Sequence, residues 1–420
     1  MSHPPAEHFI PARRSELVER LLAHPGLAER KERVARLFAG LGDLFHVEFH
    51  RRAERLKELY APVDPNIDTV ALAPASGTQQ KLKAIQRDFG EELKALLERA
   101  NFRQVTKEDL DHALRAESVF KVKLHTELGD FAELTLFRRG LRHRQETIRT
   151  WFGLRRRPLD VDYFERVVLY VRFQQAEHFP VKRRAKLPFK PGSTVLKLFE
   201  NIPVADLEMI FPNSEVRMKP VDQLVLGVPA LLGGFGILTQ LSAALLFVAG
   251  FALSVVGLSD RPADISHGQL VALGAAIFTV AIFASRQLGR FRFKKMQFLQ
   301  ALADSLYFRN LDNNAGVIHR LIDSAEEEEV KEVILGWAFL DMGGPATALE
   351  LDVRVESWFK DDLRLPIDFE VDDALAKLER LGLVVRDGER WHVQPLDEAL
   401  ETLEYRWSKA LGGTEGFNGR

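Results

Sequence analysis

The chain has 420 residues, with 58 Lys and Arg against 60 Asp and Glu and a formal net charge of −2 at pH 7. A chain of this length has room for two or three domains. Because it contains no cysteine, disulfides, thiol nucleophiles and thiolate metal sites are excluded. The charge is uneven, since residues 321–420 hold 24 acidic and 11 basic residues, a net charge of −13 that leaves +11 for the rest.

Residues 1–215 are predicted to form an α+β domain with a small antiparallel sheet. Apolar residues recur at helical spacing within 1–60 and again within 80–100, so both regions are predicted to be helical. Further along, apolar and polar residues alternate, which is typical of strands. The alternation predicts a hairpin at 120–137 and two strands at 167–173 and 195–199.

Two histidines in the first helical region, His46 and His50, are four residues apart and therefore share one face of a helix. That spacing can hold a metal ion, but the zinc-protease pattern needs a glutamate directly after the first histidine, whereas Glu48 lies two residues from it. No third ligand is evident in the sequence. We therefore expect a polar helix face rather than a metal site, and we predict no cofactor.

A basic run without acidic residues precedes a long apolar region, and more basic residues follow that region. Lysine and arginine clusters next to a membrane segment are attracted to anionic lipid headgroups, and the alternative is a solvated loop. Membrane lipids are therefore predicted partners. The residues predicted to contact lipid are Lys182, Arg183, Arg184, Lys186, Lys190, Arg286, Arg290 and Arg292.

The apolar region at 224–285 contains two uncharged runs, 224–258 and 267–285, which a short polar break separates. Since about 20 helical residues cross a bilayer core of ~30 Å, the region predicts a two-helix transmembrane hairpin. A hydrophobic hairpin buried inside a helical shell is the alternative, and residues 224–236 could span the bilayer or lie at its interface. The predicted fold class is thus an α+β membrane protein.

Pairs of small residues four apart in this hairpin would allow helices to approach closely in lipid. They would serve either the packing of the two helices or association into a homo-oligomer. Basic residues flank both outer ends of the hairpin, which places both termini in the cytoplasm by the positive-inside rule. The small residues are Ala230, Gly234, Gly250, Ser254, Ala272 and Ala276.

After a helical connector at 286–320, residues 321–420 are predicted to form an acidic winged-helix-like domain. Three helices and then a hairpin around Asp387 and Gly388, a dipeptide that favours a tight turn, give the winged-helix order. The helices are predicted at 325–340, 346–359 and 371–381. The predicted core includes Leu335, Leu349, Trp358, Leu375, Leu378 and Trp391.

The charge of this C-terminal domain argues against nucleic-acid binding. Affinity for DNA depends on neutralising phosphates with Lys and Arg, and a domain of net charge −13 would be repelled. We therefore predict that the chain does not bind nucleic acid and that the domain contacts protein instead.

Two strings, LKLFENIPVADLEMIFP at 196–212 and YFRNLDNNAG at 307–316, resemble the transmembrane protein 143 family and its bacterial relatives, which are grouped as a domain of unknown function. The resemblance extends over residues 120–385 and implies the two-span topology. Eukaryotic members are associated with mitochondria, and because this chain shows no Arg- and Ser-rich presequence, a bacterial inner membrane is expected. The family-motif residues are Asn201, Pro203, Asp206, Glu208, Asp312, Asn313 and Asn314.

The same motif residues have a simpler interpretation, since Asp312, Asn313 and Asn314 would suit the cap of a helix that begins near Ala315. The family supplies no established reaction, and no catalytic motif is present. The expected function is therefore a membrane-anchored scaffold, assembly or regulatory protein with a protein partner or a homo-oligomeric state. The alternatives are an enzyme with an unrecognised active site in residues 1–215 and an oligomeric channel formed by the hairpin.

Overall fold

The structure is a computed structural model that describes residues 7–66, 79–106, 108, 123–150, 155–217 and 306–412, together with single helical positions between 271 and 304. Contacts divide the chain into two compact units. The first contains Met1–Val119, Leu128–Leu207 and Arg309–Arg420, and the second contains Phe120–Glu127 and Glu208–Phe308.

Both units are built from helices and antiparallel strands. The helices are α1 Arg14–Ala23, α2 Pro25–Ala28, α3 Lys31–Tyr60, α4 Gln79–Arg99, α5 Val181–Arg184, α6 Ala315–Gly343, α7 Ala348–Asp361, α8 Val371–Leu381 and α9 Leu396–Gly412. The strands are β1 Arg103–Gln104, β2 Lys123–Thr126, β3 Phe131–Thr150, β4 Arg155–Phe173, β5 Thr194–Pro203, β6 Ser214–Arg217, β7 Asn310–Asn313, β8 Val384–Asp387 and β9 Arg390–Val393. The α+β character and the antiparallel sheet are thus confirmed.

Among the described residues, five strands of the first unit form one sheet in the order β1-β3-β4-β5-β7, with all neighbours antiparallel. The pair β3–β4 is much longer than its neighbours. β4 pairs with β5 only from Tyr163 onward, whereas the β3–β4 register continues from His143↔Asp162 to Thr150↔Arg155. The distal part of this pair, residues 143–150 and 155–162, is called the ribbon below.

Helix α6 runs through the core of the first unit and packs against α1, α3, α4, α7 and α8. Its second half, Val333 to Leu340, is apolar on nearly every face, which is typical of a helix that is covered on all sides. Trp337 is fully buried there, and its ring meets Phe38 of α3 edge to face at a centroid distance of 5.9 Å.

The C-terminal elements have the helix, helix, helix, hairpin order of a winged helix, with β8 paired to β9. A reciprocal capping box between Thr347 and Glu350 begins α7, and left-handed Gly382 ends α8. The register Asp387↔Arg390 makes Gly388 and Glu389 the two turn residues, and Gly388 has the positive φ of 61° that such a turn requires.

The hairpin predicted at 120–137 does not form. β2 pairs with β6, and β3 pairs with β4 along nearly its whole length. The alternation identified strand segments in this region, but a period of two says nothing about which strand becomes the partner. The strands predicted at 167–173 and 195–199 are confirmed as parts of β4 and β5.

No helix in the part of the chain that the structure describes is long and apolar enough to cross a membrane. This finding overturns the predictions of an α+β membrane protein, of a two-span hairpin at 224–285 and of an inner-membrane location with cytoplasmic termini. A span needs about 20 mostly apolar residues in one helix, and the long described helices α3, α4 and α6 all carry many charged side chains. Residues 218–270, which hold most of the predicted hairpin, lie outside the described residues.

The predicted core of the C-terminal region needs one correction. Leu335, Leu375, Leu378 and Trp391 are buried, but Leu349 is 72% exposed, while Leu351 in the same helix is fully buried. Two residues along a helix turn a side chain by about 200°, so an error of two positions in the helix phase exchanges the buried and exposed faces.

Leu351→Ala should therefore lower the free energy of unfolding by about 2–5 kcal/mol, because it removes a fully buried side chain and leaves a cavity. Leu349→Ala, on the exposed face of the same helix, should change it by about 0.5 kcal/mol or less. Urea denaturation followed by tryptophan fluorescence measures both. Equal shifts for the two variants would show that the phase of α7 is wrong.

Candidate functional site

The middle of α6 contains charged residues that are buried, which is unusual for these side chains. Glu328, Glu329, Lys331 and Glu332 are each 1–3% exposed, and Lys377 from α8 is 7% exposed. These five residues are called the charge cluster below. An unpaired charge in such a position would be very unfavourable, so the partners of each group determine what the cluster does.

Lys377 joins α8 to α6. Its Nζ lies 2.5 Å from Glu332 Oε2, 3.0 Å from Glu329 Oε2 and 2.6 Å from Asp373 Oδ2. Burial by itself would lower the pKa of Lys377, but the carboxylates of Glu332, Glu329 and Asp373 together hold it above its ordinary value. The lysine therefore stays charged and neutralises carboxylates on two helices.

Glu332 has the most perturbed carboxyl group of the cluster. Burial raises its pKa to about 7, the Lys377 ammonium opposes this rise, and the carboxylates of Glu329 and Asp373 add to it. Asn101, which follows α4, has its Nδ2 3.4 Å from Glu332 Oε1. A carboxyl group that titrates near neutral pH inside a core can gain or lose a proton under physiological conditions.

A second pair in the cluster contacts the N-terminal segment. Lys331 Nζ lies 2.5 Å from Glu328 Oε1 and also donates hydrogen bonds to the carbonyl oxygens of Ile10 at 2.7 Å and Ala12 at 3.2 Å. Glu328 Oε2 accepts the backbone N–H of Ile10 at 3.0 Å. The cluster thus fixes main chain that has no regular secondary structure of its own.

Arginines from α4 and α8 extend the network to α3. Arg99 Nη1 donates to Glu48 Oε1 at 3.2 Å, and its Nε lies 3.7 Å from Glu329 Oε1. Arg380 Nη1 donates to the other oxygen of Glu48 at 3.1 Å. Burial alone would raise the pKa of Glu48, but Arg380 and Arg99 lower it below its ordinary value. Helices α3, α4, α6 and α8 are therefore joined by one continuous set of charges.

A cavity of about 550 Å³ lies between α1, α3 and α6. Small residues of α3, among them Ala35, Ala39 and Gly42, leave this space open, and a Cβ at Gly42 would come within 3.1 Å of Arg14 Nη1. The floor is apolar and the rim is polar. The rim residues are Arg14, Ser15, Asp43, His46 and Glu326.

The two histidines of the metal hypothesis have different surroundings in the structure. His46 Nδ1 lies 3.1 Å from Glu326 Oε2 at the rim of the cavity, whereas His50 is exposed one turn further along α3. In the described residues no group of three or more His, Cys, Asp or Glu side chains could hold a metal ion. The glutamate partner of His46 is 280 positions away in the chain, so helical spacing could not have indicated it.

The basic run before the apolar region divides into two kinds of residue. Arg183 donates to the buried Asp130 carboxylate at 2.7 Å, and Arg184 Nε donates to the Phe179 carbonyl at 2.8 Å, so both hold the segment in place. Lys182, Lys186 and Lys190 are exposed. Lipid contact by these residues stays a prediction.

The other residues predicted to contact lipid or to pack helices together lie in or near the apolar region, where the structure describes only single positions. Arg286 and Arg292 are exposed helical positions, and Arg290 is not among the described residues. The six helix-packing positions also lie outside them. These are Ala230, Gly234, Gly250, Ser254, Ala272 and Ala276.

Among the family-motif residues, Asn314 is buried and has a positive φ of 51°. It stands at the start of α6 without a capping bond from its side chain. Its Oδ1 instead accepts hydrogen bonds from Tyr60 Oη at 3.0 Å and Leu196 N at 3.2 Å. Asn314 therefore joins the end of α3, strand β5 and the start of α6.

The remaining motif residues lie next to this junction, at the end of β5 or just after that strand. Asp312 pairs with Arg320 at 2.8 Å, and Asn313 Oδ1 accepts from Lys197 Nζ at 2.9 Å. Asn201 has a positive φ of 50°, and Pro203 ends β5 opposite Tyr163. Asp206 is buried, and the Glu208 carbonyl accepts from the Ser214 hydroxyl. These contacts are structural.

Fold and site together define a mixed α+β protein whose core is organised by buried ion pairs. The chain matches the model of a family described as a protein of unknown function (DUF3754) over residues 164–316, which is less than half of its length. This match covers both strings that carry the resemblance noted from the sequence. No solved structure matches the chain.

The charge cluster itself was missed from the sequence, because the helix predicted at 325–340 placed Glu326–Glu329 in its first turn, whereas α6 begins at Ala315. A usable signal was present in the residues that follow. Val333 to Leu340 is apolar on all faces, so the helix must be covered around its whole circumference, and the turn just before it lies in the same interior.

The stability of the protein should depend on the protonation of Glu332. Since its pKa is raised from 4.5 to about 7 in the folded state, folding favours the protonated carboxyl. This contribution is complete below pH 4.5 and is lost as the pH rises through 7, with a size on the order of 3 kcal/mol.

Glu332→Gln should remove this pH dependence, because the amide cannot ionise. The free energy of unfolding of the wild type should fall relative to the variant between pH 4.5 and 7.5, measured by urea denaturation at each pH. Glu379→Gln, on the exposed face of α8, is the control and should leave the pH profile unchanged. Parallel profiles for wild type and Glu332→Gln would contradict the assignment.

Proposed function

We propose that this chain is a non-catalytic scaffold, assembly or regulatory protein that works by binding another protein. The observation that carries the proposal is the ribbon. Within the described residues no strand pairs with β3 beyond Arg138 or with β4 beyond Tyr163, on the sides away from their shared register. Such free strand edges can accept an extended segment of a partner.

The charges of the ribbon support an acidic partner. It contains five arginines against three carboxylates, and its register places Arg149 opposite Arg156. A segment with an excess of positive charge is electrostatically complementary to an acidic segment of a partner. The arginines are Arg144, Arg149, Arg155, Arg156 and Arg157.

The internal use of the charge cluster is consistent with this proposal. Its groups pair with one another, with Arg99 and with the main chain of the N-terminal segment, which is the arrangement of a structural network. Membership of the transmembrane protein 143 family is part of the proposal as well. It is supported by the strings at 196–212 and 307–316 together with the overlapping family match.

Reversing ribbon charges should weaken partner binding. Arg144→Glu combined with Arg149→Glu should deplete the proteins that crosslink to the tagged chain in its native cells about tenfold, since a partner charge pair is commonly worth 1.4 kcal/mol or more. Lys182→Glu with Lys186→Glu changes the same charge at exposed positions elsewhere and is the control. Quantitative mass spectrometry compares the sets. An unchanged set for the ribbon variant would refute the proposal.

The cavity at α1, α3 and α6 supports a second candidate function, an enzyme with its site mainly in residues 1–215. His46 with its Glu326 partner has the composition of a general base held by a carboxylate, and Ser15 and Asp43 line the same cavity. In this case His46→Ala should lower the hydrolysis of chromogenic esters by about 100-fold or more, whereas His50→Ala should not. No hydrolysis above the uncatalysed rate would reject this candidate.

A further inference from the structure

Residues 7–13, called the strap, cover part of the charge cluster without forming a helix or strand. Ile10 is only 1% exposed, which is a degree of burial expected of a core residue. The strap is therefore an irregular segment, with bends at His8, Phe9 and Ala12, that is bound in a groove of its own chain.

The groove recognises the main chain of the strap. Glu328 accepts the N–H of Ile10 at 3.0 Å, while Lys331 donates to the carbonyl of the same residue at 2.7 Å. Asn101 Nδ2 donates to the His8 carbonyl at 3.2 Å, and the Glu7 carbonyl accepts the N–H of Asp368 at 3.2 Å. Groups of a groove that satisfy the main-chain N–H and carbonyl groups of a bound segment are typical of peptide-binding sites.

Three side chains of the strap are also recognised. The Glu7 carboxylate accepts from Arg138 Nη1 at 2.9 Å and from Gly140 N at 2.6 Å. The Phe9 ring lies 4.1 Å from the Arg139 guanidinium carbon, a cation–π contact. Ile10 fills an apolar position. The groove thus selects an acidic residue, an aromatic residue two positions later and an aliphatic residue directly after it.

The groove is costly to leave empty. Glu328 and Lys331 are almost completely buried, and burial also lowers the pKa of Arg139 to about 10. Without a peptide these groups would lose hydrogen-bond partners in a poorly hydrated environment. A cavity of about 340 Å³ between the strap, Arg139 and α6 leaves room for larger side chains than Pro11 and Ala12.

We infer that the groove is a peptide-binding site, occupied in cis by the strap, for a segment of a partner protein with the pattern acidic, any residue, aromatic, aliphatic. The inference rests on the proposed function, because it names the chemistry of the partner. The strap is then a built-in competitor that a better segment displaces. Because every external peptide must first displace the strap, its apparent affinity for the intact chain is lower than its affinity for the empty groove.

The test uses a fluorescent peptide of residues 7–14 and the full-length variant Ile10→Glu, whose own strap cannot occupy the buried position. Fluorescence anisotropy should show that the peptide binds this variant. The peptide should bind the wild-type chain at least about tenfold more weakly. A peptide with Glu7→Ala and Phe9→Ala is the matched control and should not bind. No binding to a folded Ile10→Glu chain, or equal binding of the control peptide, would overturn the inference.

Hydrogen exchange of the wild-type chain covers the case in which the variant does not fold. The Ile10 amide should exchange faster than the amides of α6, because the strap opens independently. Exchange as slow as that of α6 would overturn the inference, and so would a dimer with exchanged straps, which would make a second copy the occupant. Adding Arg144→Glu and Arg149→Glu to the Ile10→Glu chain should leave its binding of the peptide unchanged, so a failure here is distinguishable from a failure of the proposed function.

Discussion

The ammonium group of Lys377, held among the carboxylates of Glu329, Glu332 and Asp373, is the interaction on which the first unit depends. It allows an acidic turn of α6 to lie inside the core, because the three carboxyl groups keep the pKa of this lysine above its ordinary value although burial alone would lower it. Removing one partner from such a buried set typically costs about 3–5 kcal/mol, whereas making the set adds little net stability. The ion pairs thus fix which helix faces which, and the apolar residues around Trp337 supply the driving force.

The other organising contacts follow from the position of α6. At its start, Asn314 bonds to Tyr60 and Leu196, which sets α3 and β5 against the same helix end. One turn before the apolar half, Glu328 and Lys331 bind the strap, and through the strap they reach Arg138 and Gly140 of β3. A single helix therefore positions the helical layer, the sheet and the N-terminus, and the ribbon extends from the sheet that this arrangement holds.

Local sequence patterns predicted much of the secondary structure, but they did not predict how particular residues pack. Periodicity located β4, β5 and the helices around 325–340, 346–359 and 371–381, since side-chain direction repeats within each segment. It placed Leu349 in the core, although that residue is exposed, because a short helix leaves its phase ambiguous by two positions. The length of an uncharged run likewise predicted a membrane span that no described helix provides.

What the sequence determined by itself is therefore the local part of this protein: its helices, most of its strands, the acidic C-terminal region and the absence of thiol chemistry. Tertiary structure alone decided the partner of β2, the contact of His46 with Glu326 and the burial of Glu328, Glu329 and Glu332. The physical reason is that propensity and periodicity act between near neighbours. Desolvation, ion pairing and strand pairing depend on groups that only the folded chain brings together.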